Sequence, residues 1–145
     1  MTPPPERPPR QRRTFDRRIE QAGLLFETGI LECCLRRSPE DTAVLAELAE
    51  ACTRLRRYRR GLQLDRRLVR RDPKDPIARY DLACSLVLTG DLPGAARELL
   101  VAARLGYRDL EHLLRDPDLR RLRRDPSFAA LRAQLEQIAG EAPRA

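Results

Sequence analysis

Apolar residues recur at three- and four-residue spacing along most of the chain, the period of a helix with one buried face. Leu45, Leu48, Ala49, Cys52 and Leu55 make one stripe, and Leu62, Leu64, Leu68 and Val69 make the next. Ile77, Leu82, Ala83 and Leu86 mark a third helix. Ala95, Ala96, Leu99, Leu100, Ala102 and Ala103 mark a fourth. Upstream, the pattern from Thr14 to Arg37 is also helical, with Ile30, Leu31, Cys34 and Leu35 as its apolar stripe. Gly23 and Gly29 weaken that helix. Downstream, Phe128, Leu131, Leu135 and Ile138 form a last core stripe, while Leu110, Leu113, Leu114, Leu119 and Leu122 are placed to cover the preceding helices. The chain reads as all-α.

The boundaries between these helices are written twice. RRSPED (Arg36 to Asp41) returns 34 residues later as RRDPKD (Arg70 to Asp75). In each copy a proline stops one helix, because its ring clashes with the preceding turn. In each, an aspartate then caps the next helix, and Pro76 suits a first helical position. The turn inside the first unit falls near Arg56 to Tyr58. In the second unit TGDLPG supplies the break, with Gly90 ending one helix and Asp91 capping the other. A third window, RLGYRD (Arg104 to Asp109), has Tyr107 where the prolines stood, and there the period ends. Asp116-Pro117 and Asp125-Pro126 each predict a further helix start.

A helix–turn–helix period of 34 residues, from about Leu24 to Asp109, resembles the tetratricopeptide (TPR) repeat family. Leu45, Leu48, Ala49, Tyr58, Gly61 and Pro73 match its motif in one copy; Leu82, Ala83, Gly90, Leu92, Ala95, Leu99 and Ala102 match it in the next. The resemblance implies a short right-handed solenoid of antiparallel helix pairs. Full repeats occupy 42–75 and 76–109, a partial one occupies 14–41, and a helical cap over 110–140 closes the array. That cap is similar to the end-of-array module of many bacterial TPR proteins. Residues 1–13 and 141–145 are tails. Three positions depart from the motif: Asp65 stands where a large apolar residue packs, Leu68 where a small one does, and Arg79 where a bulky apolar one does. Burying Asp65 unpaired would be costly, so it is expected to pair with an arginine or turn to solvent.

The same resemblance implies a concave groove lined by Ala46, Glu47, Glu50, Arg54, Ile77, Tyr80, Asp81, Cys84 and Val87. The basic clamp that holds chaperone C-terminal carboxylates is missing, since Ala46, Glu50, Tyr80 and Asp81 stand at such positions. A mildly acidic and apolar groove suits an apolar or basic segment instead. The N-terminal helix filling part of that face is the competing expectation.

Composition narrows the function further. At 145 residues and 41% hydrophobic the chain can bury one domain's core, and with 4% aromatics Leu and Ala must build it. Net charge is +7, and every basic residue except Lys74 is arginine. Arg56, Arg57, Arg59, Arg60, Arg66, Arg67, Arg70 and Arg71 form a dense patch, mostly on the convex side of a solenoid. It reads as a solvated surface, or as a site for an acidic protein or nucleic acid. Only Tyr58 interleaves with it, so base stacking has little support. MTPPPERPPRQRR reads as a polyproline-like tail, with Pro5 and Pro8 as a minimal PxxP. Cys33, Cys34, Cys52 and Cys84 lack metal-ligand spacing and read as small buried thiols of a reducing compartment. His112 is expected to face solvent or cap a helix. No catalytic constellation, cofactor motif or membrane-length apolar run is present. The expectation is a non-enzymatic cytoplasmic adaptor that binds a protein partner through its groove. The alternatives are an anion binder using the arginines, or a purely structural subunit.

Overall fold

The computed structural model describes the backbone from Arg10 to Glu141 and the side chains from Asp16 onward. Every regular element among these residues is helical: α1 (Arg10–Arg37), α2 (Thr42–Arg54), α3 (Tyr58–Arg71), α4 (Pro76–Thr89), α5 (Leu92–Arg104) and α6 (Leu110–Arg115). A 3-10 turn (Pro117–Leu119) leads into α7 (Arg120–Arg123), and α8 (Phe128–Gly140) ends the described chain. None of these helices is long and apolar enough to cross a membrane.

The local sequence explains most of these limits. Asp41 Oδ1 accepts from Ala43 N at 3.0 Å and Val44 N at 3.2 Å. Asp75 Oδ1 accepts from Ile77 N at 2.8 Å, and Asp91 Oδ1 from Gly94 N at 2.8 Å. Each bond satisfies an amide that the first helical turn leaves open. Gly90 ends α4 at φ 98°, a conformation that costs glycine little. The start of α8 departs from expectation. Asp125 Oδ1 accepts from Ser127 N and Ser127 Oγ, building a turn of its own, so the helix starts at Phe128 and Pro126 lies ahead of it.

From α1 to α5 each helix packs on the next, and then the chain folds back: α8 lies on α5, and the 3-10 turn on α4. One continuous core results, from Leu35 in α1 through Leu45, Leu64 and Leu99 to Leu135 in α8. Leu113, Leu119, Leu122 and Leu131 are buried in it as well. The segment after α5 thus supplies five buried leucines, each worth ~1.5–3 kcal/mol. Gly61 sits where α2, α3 and α4 converge; a Cβ there would lie 3.5 Å from Thr53 Oγ1 and 3.7 Å from Ser85 Oγ. Arg79 is accommodated by polar partners: it donates to Glu98 Oε2 at 2.9 Å and to the Pro73 carbonyl at 3.0 Å.

The N-terminal helix corrects several expectations. It begins at Arg10 rather than Thr14 and runs unbroken through Gly23 and Gly29. Residues 10–13 are therefore helical, and the PxxP pattern lies outside the described residues. Its buried face is rotated from the expected stripe. Thr28 and Leu35 are buried and Leu31 half-buried, whereas Ile30 and Cys34 are exposed. The face turned away from α2 carries Ile19 and Phe26, the latter 73% exposed. Only Cys52 and Cys84 are the buried thiols expected; Cys33 and Cys34 face solvent.

Candidate functional site

Helices α2 and α4 each pack on α3. Between them lies a cavity of about 270 Å³. From α2 it is lined by Ala46, Glu47, Ala49, Glu50 and Thr53, and from α3 by Asp65. From α4 come Tyr80, Asp81, Cys84 and Ser85. The far wall is His112 from α6, Asp116 from the junction after it, and Asp118 from the 3-10 turn. Among the described residues, none of α1 lines it.

Six of the nine expected groove residues are brought together here: Ala46, Glu47, Glu50, Tyr80, Asp81 and Cys84. Three are not. Val87 is fully buried in the core and Ile77 is 54% exposed outside the cavity. Arg54 points the other way, toward α1, with its guanidinium 3.7 Å from Glu20.

Asp116 organises the wall. Its Oδ1 accepts from Asp118 N at 2.9 Å, as a capping aspartate should. Its Oδ2 accepts from Tyr80 Oη at 2.7 Å, lies 3.7 Å from Cys84 Sγ, and lies 3.5 Å from His112 Nε2. Tyr80 is held from its other side by Tyr107, stacked with ring centroids 4.5 Å apart, and His112 tilts over it at 5.7 Å. Tyr107, the residue that stands where the earlier windows have proline, thus anchors the aromatic ring that lines the cavity. His112 keeps 55% of its side chain exposed, but at the cavity rim.

Asp65 contradicts expectation. It pairs with no arginine and does not turn outward: it is 4% exposed, and its Oδ2 accepts a short hydrogen bond from Ser85 Oγ. The hydroxyl lets α4 close over an acid that its helical phase forces inward. Burial pushes the Asp65 carboxyl up to about 6, against the Ser85 hydrogen bond, which lowers it. Asp81 is pushed up to about 7 by desolvation first, then by the charges of Asp65, Asp75, Asp116 and Glu50. Its outer side still meets water, which screens those charges. Burial, followed by the charges of Asp116, Asp81 and Asp118, raises the Cys84 thiol and holds it protonated. The Tyr80 hydroxyl is raised by burial and by its bond to Asp116.

The arginines divide into two groups. Arg60 donates to both oxygens of Glu32 in α1, at 3.1 and 3.0 Å. Arg71 reaches Glu40 at 3.3 Å, and Arg67 reaches Glu40 at 3.9 Å and the Pro39 carbonyl. These three stitch α3 to α1 and its following turn. Arg56, Arg57, Arg59, Arg66 and Arg70 are exposed.

Sequence reasoning missed Asp65 and Ser85 as a pair, and it saw Asp116 only as a cap. Asp65, an acid at a position whose helical phase belongs to the core, was the one available signal. Compared with known proteins, the chain matches no family model, no curated protein and no solved structure.

Proposed function

We propose that the protein is a TPR-like, non-enzymatic interaction module whose groove between α2 and α4 holds a peptide or helix of a partner protein. The observation that carries this reading is the preformed cavity, which collects Glu47, Glu50, Tyr80 and Asp81 from the first helices of successive 34-residue units. Its carboxylates favour a partner segment carrying positive charge. The arginine patch is the weaker surface, because Arg60, Arg67 and Arg71 are engaged within the fold. Free exposed thiols at Cys33 and Cys34 suit a reducing, cytoplasmic setting.

The test is crosslinking and mass spectrometry in the native cell. Glu47→Arg with Glu50→Arg, both exposed and cheap to fold, is expected to abolish the dominant crosslinked partner. Arg66→Glu with Arg70→Glu is expected to retain it. Retention by the groove variant and loss by the arginine variant would reverse the assignment in favour of the convex patch.

A further inference from the structure

We infer that the cavity is a receptor for one guanidinium group, an arginine side chain of the bound segment, seated between Asp65 and Asp81. The inference rests on the groove reading above and specifies what the groove recognises.

Among the described residues, the lining of the cavity carries six carboxylates, Glu47, Glu50, Asp65, Asp81, Asp116 and Asp118, and neither arginine nor lysine. This is in a chain with 29 basic residues, several of which brace other faces. The second observation is Asp65 itself. The residue is 96% removed from solvent, and only Oδ2 is hydrogen-bonded, to Ser85. No fully buried side-chain oxygen lacks a partner among the described residues, so the unbonded Oδ1 opens onto the cavity it lines. A buried carboxylate with an unused oxygen and no counter-charge is costly unless a cation arrives from outside. Asp116 does not compete for that cation, because Tyr80 and the Asp118 amide occupy its oxygens.

The cation is larger than a metal ion. Among the described residues no three acidic, cysteine or histidine side chains converge closely enough to ligate one. A guanidinium fits better than an ammonium: its planar fork can serve two carboxylates at once, and it is more weakly hydrated, so it enters a half-dry site more cheaply. Binding is expected to be linked to protons. Asp81 faces Asp65 from α3, Glu50 from α2, Asp116 from the far wall and Asp75 at the start of α4, all of one sign. A bound cation relieves that repulsion and draws protons off Asp65 and Asp81.

The probe is N-acetylarginine amide, titrated into the whole protein and followed by backbone amide NMR shifts. Saturable shifts are expected at Asp65, Asp81 and Ser85. The neutral isostere N-acetylcitrulline amide is expected to leave them unmoved, and N-acetyllysine amide to bind more weakly. Asp65→Asn, which preserves the contact with Ser85, and Asp81→Asn are each expected to weaken arginine binding by about tenfold. Raising the pH from 5 to 8 is expected to strengthen it. Equal binding of citrulline, or unchanged affinity in both Asn variants, would overturn the inference. If the arginine probe fails while Glu47→Arg with Glu50→Arg still loses the crosslinked partner, the groove reading stands and this one falls. If the probe binds as described and the crosslinked partner survives those substitutions, the cationic receptor stands without the wider groove.

Discussion

Asp65 is a residue whose place in the helical period forces it inward and whose chemistry opposes that. The fold answers with one hydroxyl, Ser85, twenty residues away. The consequence is a stability that depends on pH. With its folded-state carboxyl at about 6 and an ordinary aspartate at 3.8, the native chain binds more protons than the unfolded one between those values. Stability therefore falls as pH rises through that window and stays low above it. A shift of this size corresponds to roughly 3 kcal/mol. Asp65→Asn cannot ionise, so urea denaturation at pH 4 and pH 7 is expected to show a smaller loss for the variant than for the wild type. Parallel losses would mean that other acids set the slope. The amino-acid order marked Asp65 as anomalous, but the identity of its partner depended on how α4 lies against α3.

At the scale of the element, start and stop signals lie within a few residues of the backbone they govern. Asp41, Asp75 and Asp91 cap the helices they precede, and Gly90 ends one. Helix α3 lacks a side-chain cap and follows Arg56, whose φ is 58°, so that start is imposed by the packed helices on either side. Helix α1 shows the opposite limit. Its glycines suggested a break, yet it runs straight through, because a helical glycine only weakens a helix. A Cβ on Gly29 would meet nothing within 4 Å. Gly29→Ala is accordingly expected to raise stability by about 0.5–1 kcal/mol, by restricting the unfolded chain. An increase in the urea midpoint at unchanged slope would show it. A drop would mean that something in solution needs the bare backbone.

At the scale of the whole molecule, the segment after α5 is both a lid on the core and a wall of the cavity. Leu119 and Leu122 are buried to within 1% of their surface, while Asp116, three residues before Leu119, holds Tyr80. Leu122→Ala is expected to cost about 2–5 kcal/mol. Because Tyr80 and Tyr107 sit at the junction and tryptophan is absent, tyrosine fluorescence in a Tyr58→Phe background reports on that junction while far-UV circular dichroism reports on all helices. The two unfolding curves are expected to coincide in the variant as in the wild type. A fluorescence transition that precedes loss of helix would show the C-terminal segment to be a separate unit.

What the amino-acid order determined alone was the all-helical class, most helix limits and the 34-residue spacing of the boundary motif. These follow from periodicity and capping, which act over one or two turns of chain. What only the tertiary structure decided was the face α1 buries, the use of three arginines as braces, and the far wall of the cavity. Tyr80 and Asp116 are 36 residues apart, and Asp65 and Ser85 are 20. No local preference encodes such pairs. They meet because close-packed leucines fix the relative positions of the helices, and the polar groups take the partners that this packing leaves within reach.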